Sequence, residues 1–432
     1  MTTVRGATRL PTGANVNLSD IRNCEVETVQ LVAQDGGRSR GILYVPTNKP
    51  SRIGVHIMHP RTDQSFNYNV PPLVDSGCMV LARAGRWVNN DTTAVHEMLL
   101  FDVAAGVQLL RNRGCEIVAL LGNSGGAPLA AFYQWQARTE PGARLQGTPA
   151  GDPIDLPGAD LPAADAITII GGHAGEAISL MKRLDPSVVD ESDPLSWDPD
   201  IDMYENHNGF RTPPESSKYS DDFVSRYRAA QRARVERIDE LAKAAVASRR
   251  AAEEELRVHP SPSLEREASF VRHVLVHRTM ADPALVDLSI EPDDRRVGAY
   301  TNHLRPDLLN YGGAVGDFAG QSGQSGLVKH LTPEAWLSTW SASTSRVDTE
   351  ACLAQLTDPL LMVHYLGDGI TQMSKVRSTF DAAKSFVKDL VLVPHADHFG
   401  YVINADGSAG PRTDLGTTAL TTWLHDQFIP GP

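Results

Sequence analysis

The sequence predicts an α/β fold: a mostly parallel sheet flanked by helices, with a large, mainly helical cap inserted before the last two strands. Three observations lead there. Short apolar runs alternate with amphipathic helical segments as far as about residue 180, the pattern of parallel strands joined by helical crossovers. That alternation stops between about Met181 and Thr357, where dense charge and Pro/Gly-rich stretches take over. It then resumes to the end of the chain. The expected units are residues 1–180 (first part of the core), 181–357 (cap) and 358–432 (second part of the core).

Cys24 to Ala33 alternates as a strand, Gln34-Asp35-Gly36-Gly37 is a hairpin-type turn, and Ser39 to Val45 is a second strand. Ile53 to Met58 is apolar on both faces and reads as a buried third strand. Asn67 to Ser76 reads as a short helix and Cys78 to Ala84 as a fourth strand. Thr92 to Arg113 reads as a long amphipathic helix, with Leu99, Val103, Val107 and Leu110 on one stripe. Glu116 to Leu121 and Ala166 to Ile170 are further strands, separated by an Ala-rich helix from Ala127 to Gln136.

Within the insertion, Ser220-Asp221-Asp222 opens a long helix running to about Val258. Its charges read as a solvated surface, with a narrow apolar face at Val224, Tyr227, Ile238, Leu241 and Ala245; the alternative is a contact between two copies in a homodimer. His259 to Ser263 reads as a linker and Gly312 to Gly326 as a glycine-rich loop. After the insertion come a strand at Pro359–Tyr365, a helix from about Met373 to Phe386, a strand at Asp389–Val393 and a last helix from about Thr413 to Phe428.

Composition narrows the function. With 432 residues, 41% hydrophobic and 22% charged, the chain has ample material for a buried core. A net charge of -13 without a basic stripe argues against nucleic acid as the partner. No signal peptide and no run long enough for a bilayer span is read, so a membrane is not an expected partner. The cysteines Cys24, Cys78, Cys115 and Cys352 lack metal or redox spacing, which suits reduced thiols in the cytoplasm.

The chemistry centres on Gly122-Asn123-Ser124-Gly125-Gly126. A strand precedes this Gly-x-Ser-x-Gly pentapeptide and a helix follows it. A capping serine in a glycine-rich turn would give the same letters. In a strand-to-helix turn, however, the glycines permit a strained backbone, the hydroxyl projects into open space, and the N–H groups of the helix start favour a developing negative charge. A serine hydroxyl needs a base, and the base needs an orienting carboxylate. Leu366-Gly367-Asp368 follows the Pro359–Tyr365 strand, so Asp368 sits at a carboxyl-terminal strand end, where open α/β sheets place ligands. Beyond the next strand comes His395-Ala396-Asp397-His398-Phe399-Gly400, with two candidate bases. The His-x-Asp-His spacing could ligate metal, but no further matching ligand stands nearby, and no metal or cofactor is expected. His364, inside a strand, reads as a core histidine.

The order serine, acid, histidine, each after a strand of one sheet, resembles the α/β-hydrolase-fold superfamily. The likeness rests on Gly122–Gly126, Gly367-Asp368-Gly369-Ile370 and Asp397–Gly400, and spans about 25–180 and 358–430. It implies Ser124 as nucleophile, Asp368 as acid and His398 as base, since the family places its histidine before a Phe/Gly-type helix start. It also implies an oxyanion hole. Gly125 supplies one N–H by resemblance, and the loop after the third strand supplies the other. Where the family usually has His-Gly, this chain has His59-Pro60; proline lacks an N–H, so the donor falls to Arg61. Near the same edge, Arg86 could grip an anionic substrate group, Trp87 could form a pocket wall or equally pack into the core, and His173 could touch substrate.

A cap would enclose the serine and favour a small-molecule substrate. Tyr311, Phe318, Trp336 and Trp340 are candidate lining groups, or the cap's own core. The expected activity is hydrolysis of a carboxylic ester or lactone of a small, fairly apolar molecule through an acyl-enzyme. The alternative is cleavage of a diketone-type carbon–carbon bond, or acyl transfer, by the same triad.

Overall fold

The computed structural model describes residues 21–47, 51–88, 90–193, 195–212, 215–269, 272–278, 281–287, 289–290, 330–368, 371–404 and 409–429. Tyr311, Phe318 and the 312–326 stretch lie outside the described residues.

Eight strands form one sheet in the order β1-β2-β4-β3-β5-β6-β9-β10. They are β1 (Cys24–Val32), β2 (Arg38–Pro46), β3 (Ile53–Met58), β4 (Met79–Arg83), β5 (Ile117–Asn123), β6 (Ala166–Ile170), β9 (Leu360–Tyr365) and β10 (Lys388–Val393); β7 (Val274–Leu275) and β8 (His330–Leu331) pair outside it. Within the eight-stranded sheet only β2 runs against its neighbours β1 and β4; every other pairing in it is parallel. The central strands are buried on both faces, as continuous apolar runs such as Ile53–Met58 and Leu360–Tyr365 demand.

Two apolar layers account for that burial. On one face, α2 (His96–Asn112) and α3 (Gly126–Arg138) deliver Leu99, Val103, Val107, Leu129 and Phe132 to a core that includes Val118, Leu120 and Met362. On the other, α1 (Val70–Asp75) and the last helix, Leu415–Phe428, bring Val70, Leu73, Leu420 and Leu424 onto Ile57, Val80, Leu121 and Val363.

No strand of this sheet lies between β6 and β9 among the described residues. That stretch has its own core, where α5 (Asp221–Val258) packs Val235, Ile238, Ala242 and Val246 against Leu184, Val276, Trp336 and Trp340. The chain returns to the main core with Val347, Cys352, Leu353 and Leu356. The buried face of α5 runs through Phe223, Tyr227, Gln231, Arg234, Ile238 and Ala242, while Leu241 is exposed. Several of its charges do not face water. Fully buried Arg234 makes a two-pronged pair with Glu191 (2.9 and 2.7 Å), and Gln231 donates to the carbonyls of Lys182 and Leu184. An aliphatic residue at either position would leave those acceptors empty, which is why polar residues occupy an inward stripe.

The expected helix at Thr92 starts instead at His96. Residues before it serve the insertion: the Thr332 N–H donates to the Thr92 carbonyl and the Thr339 hydroxyl to the Ala94 carbonyl, both at 2.8 Å. The break after α5 is short, because Pro262 begins the next helix (Pro262–Ser269) rather than prolonging a linker. No helix among the described residues is long and apolar enough to cross a membrane.

Candidate active site

Ser124 sits between the end of β5 and the start of α3 with φ +56°, a left-handed backbone at a non-glycine residue. Such a conformation costs about 1–3 kcal/mol and persists only when its surroundings enforce it. Here they do. The Ser124 N–H donates to the Ile170 carbonyl at 3.2 Å, and the Asn123 carboxamide donates to the same carbonyl at 2.9 Å. Two glycines make the close packing possible. A Cβ on Gly122 would lie 2.5 Å from Ala127 Cα, and one on Gly126 would lie 2.6 Å from the Met58 carbonyl oxygen. Asn123 has no counterpart in the sequence expectations, although its place inside the pentapeptide was a cue.

The elbow aims the hydroxyl at His398. Ser124 Oγ and His398 Nε2 are 2.8 Å apart, and His398 Nδ1 is 2.8 Å from Asp368 Oδ2. Asp368 and His398 are buried, whereas Ser124 keeps partial exposure. Asp397 sets the histidine's loop, its Oδ1 accepting the N–H groups of Phe399 and Tyr401 at 2.9 Å each. With Asp368 as acceptor, Nδ1 carries the proton and Nε2 is free to receive the serine proton. His395 is exposed and does not approach the serine's hydrogen-bonded line. His364 is buried inside β9.

At the oxyanion position the structure departs from expectation. The Gly125 N–H, at the head of α3, makes no hydrogen bond to any described residue, as a donor held for a developing charge requires. The Arg61 N–H, expected as the second donor, is already in use: it donates to His59 Nδ1 at 3.0 Å, and the Thr62 N–H donates to the same atom at 3.2 Å. Pro60 is the reason. It fixes the turn so that the next two N–H groups fold back onto the imidazole. The Arg61 guanidinium pairs with Asp91 and lies over Trp340, its carbon 5.4 Å from the ring centre.

Arg86 is also corrected. The Arg86 guanidinium is taken by two carboxylates: Nε donates to Asp102 Oδ1 at 2.9 Å and Nη2 to Asp35 Oδ1 at 2.8 Å. Asp102 is fully buried, so this cation neutralises a core carboxylate, and its charge is shared between Asp102 and Asp35. Trp87 packs half-buried against the main core beneath that guanidinium.

His173 does reach the site, with three residues that the sequence did not mark. A Cβ built on Gly125 would lie 2.6 Å from Glu176 Oε1, 2.7 Å from His59 Nε2 and 3.1 Å from His173 Nε2, so these groups converge beside the residue that follows Ser124. His96 Nε2 is 3.7 Å from Glu176 Oε2. The elements explain the meeting. His59 follows β3, His96 opens α2, and His173 and Glu176 flank the start of α4 (Glu176–Met181) beyond β6. Burial holds the imidazoles neutral, with His96 and His173 each lowered to about 3. Burial also raises the Glu176 carboxyl to about 7. Neither oxygen of Glu176 and neither nitrogen of His96 has a hydrogen-bond partner. Among the described residues no cluster suited to a metal ion occurs.

No family model and no curated protein matches the chain. Solved structures do resemble it at low identity. An esterase of Butyrivibrio proteoclasticus, Est1E, is 12% identical with a TM-score of 0.43 over 93% of this chain and 99% of that one. The esterase domain of a Rhodothermus marinus protein is 12% identical with a TM-score of 0.40 over 93% and 98% of the two chains. The α/β hydrolase GrgF from a Penicillium species is 11% identical with a TM-score of 0.42 over 87% and 91%. The assignment of fold rests on this chain's own topology: the 1-2-4-3-5-6 strand order continued by two parallel strands, the single reversed strand β2, and the sharp turn between β5 and α3. By that architecture the chain has the α/β-hydrolase fold.

Proposed function

We propose that the protein is a serine hydrolase that cleaves a carboxylic ester or lactone of a small molecule through an acyl-enzyme. The observation that carries this reading is the hydrogen-bonded line Ser124–His398–Asp368, with 2.8 Å at each step, ending on a serine that keeps partial exposure. In the proposed reaction His398 Nε2 takes the serine proton as Oγ attacks the acyl carbon. Asp368 holds the imidazolium that results. The Gly125 N–H stabilises the negative oxygen of the tetrahedral intermediate. His398 then returns the proton to the departing alcohol oxygen. Water, deprotonated by the same nitrogen, releases the acid and restores Ser124.

The cap role of the insertion is part of the proposal, supported by the placement of Trp340 over Arg61 in the loop after β3. The four free cysteines suit a cytoplasmic setting. The test is labelling and turnover together. A fluorophosphonate probe should attach to Ser124, and short 4-nitrophenyl esters should be hydrolysed by the native protein. Ser124→Ala should lose both. Turnover that survives in Ser124→Ala would remove the reading.

A further inference from the structure

The convergence of His59, His96, His173 and Glu176 next to Gly125 has a chemistry that the triad does not use. Two of the imidazoles have fixed tautomers. His59 Nδ1 accepts the N–H groups of Arg61 and Thr62, and His173 Nδ1 accepts the Gly175 N–H at 3.1 Å. Each neutral ring must then carry its proton on Nε2, the atom near Gly125. His59 and His173 therefore present N–H donors. Glu176 presents acceptor oxygens between them, 3.9 Å from His173 Nε2 and 3.7 Å from His96 Nε2, beyond ordinary hydrogen-bond length. His96 adds one donor and one acceptor, both unused.

Buried polar atoms are almost always paired, so a group of orphaned ones marks a place where something else completes the set. The required complement follows from the donors and acceptors present. An ammonium group would meet the Glu176 oxygens but also face imidazole N–H donors and lie near Arg61. A carboxylate would accept from the imidazoles, but it would bury a second carboxyl group beside Glu176, whose own charge burial already disfavours. A hydroxyl group serves both, donating to Glu176 and accepting from His59 or His173. Of these side chains His173 keeps some exposure, 12%, against 3% for Glu176 and 1% for His96.

We propose that His59, His96, His173 and Glu176 form a subsite that binds a neutral, hydroxyl-bearing part of the substrate next to the nucleophile. This deepens the hydrolase reading and rests on it for the nature of the scissile bond. The hydroxyl belongs either to the acyl or to the alcohol half, and the test has an arm for each.

The experiment compares kcat/KM for methyl 3-hydroxybutyrate against methyl butyrate, and for glyceryl monobutyrate against propyl butyrate. The native protein should prefer the hydroxylated ester in at least one arm by roughly tenfold or more, because a site built around a hydroxyl penalises the analogue that lacks it. Glu176→Leu should bring that ratio to about one. Glu176→Gln, which keeps the side-chain size while replacing one acceptor oxygen by a donor, should reduce it several-fold. Equal native values in both arms would overturn the subsite while leaving the hydrolase reading intact. Calorimetry on Ser124→Ala separates the opposite case. If neither ester is turned over but Ser124→Ala binds the hydroxylated member more tightly, the hydrolase reading falls and the subsite stands. If no hydroxylated ester binds more tightly and none is preferred in turnover, the subsite is wrong.

Discussion

Two walls meet at Ser124, and they differ in how their polar atoms are satisfied. On one, the serine, His398 and Asp368 form a line in which each group holds the next, and Asp397 braces the histidine's loop through two backbone N–H groups. On the other, Glu176 and His96 are buried with no hydrogen-bond partner. The first wall is preorganised for proton transfer and needs nothing more to be complete. The second is incomplete as it stands. In an interior where unpaired polar groups cost about 1–3 kcal/mol each, a bound hydroxyl at the proposed subsite would offset that cost. If the proposed subsite is real, the saturated groups at Ser124 position the chemistry and the orphaned ones beside Gly125 receive the substrate.

The largest effect should come from breaking the saturated line. His398→Ala should lower kcat for a 4-nitrophenyl ester by about 10⁴-fold or more, and Asp368→Asn by about 10⁴-fold with the fold intact. Steady-state kinetics beside circular dichroism checks both. A residual rate within tenfold of native would mean that the line is not the reacting one.

Next in size is a stability effect at a saturated cation. Arg86→Ala would leave the Asp102 carboxylate buried without its partner. The expected loss is about 3–5 kcal/mol, read from urea unfolding. If Arg86 were instead a substrate anchor, KM would rise with the melting point unchanged.

The orphaned wall should reveal itself in the pH dependence of stability. Burial raises the Glu176 carboxyl from 4.5 to about 7, so over that window the folded chain holds a proton that the unfolded chain has released. Stability from this group is therefore lost as pH rises from 4.5 through about 7, by on the order of 3 kcal/mol in total. The difference in unfolding free energy between the native protein and Glu176→Gln isolates it. The neutral imidazoles act in the other direction. His96 and His173, lowered from 6.5 to about 3, remove stability as pH falls below 6.5, equally in both proteins. A native-minus-variant difference that stays flat between pH 4.5 and 8 would show Glu176 to be solvated or paired.

The same contrast explains what could be seen in the sequence. Ser124, Asp368 and His398 each follow a strand with recognisable flanks, so local pattern and strand order were enough to bring them forward. The parallel strands were equally legible, because buried strands are continuous apolar runs. The orphaned wall was not. It assembles from single residues after β3, at the head of α2 and around the start of α4, and an isolated histidine near apolar residues reads as core. Only His173, at the end of a strand and after two glycines, gave a local cue. Arg61 and Arg86 were misjudged for a related reason. Whether an arginine is free depends on carboxylates far along the chain, Asp91 for one, Asp35 and Asp102 for the other. The inward face of α5 was misplaced because it includes Arg234 and Gln231, which hydropathy assigns to water and the 182–191 segment claims by hydrogen bonding.

The smallest effect tests whether saturation at the elbow serves the strained serine. The Asn123 carboxamide donates to the Ile170 carbonyl at 2.9 Å and to the Tyr68 hydroxyl at 3.3 Å, both in buried surroundings. Asn123→Ala removes these bonds but leaves the Ser124 N–H on Ile170. A cost of about 1 kcal/mol in unfolding is expected for a hydrogen bond of this kind. If the carboxamide also holds Ser124 at its positive φ, kcat should fall severalfold while KM changes little, because the serine would misalign with His398 without altering the orphaned wall. A change in the preference between hydroxylated and plain esters in this variant would mean that the two walls are mechanically linked. An unchanged preference with reduced kcat would show that the elbow sets the chemistry while the polar wall sets the choice of substrate.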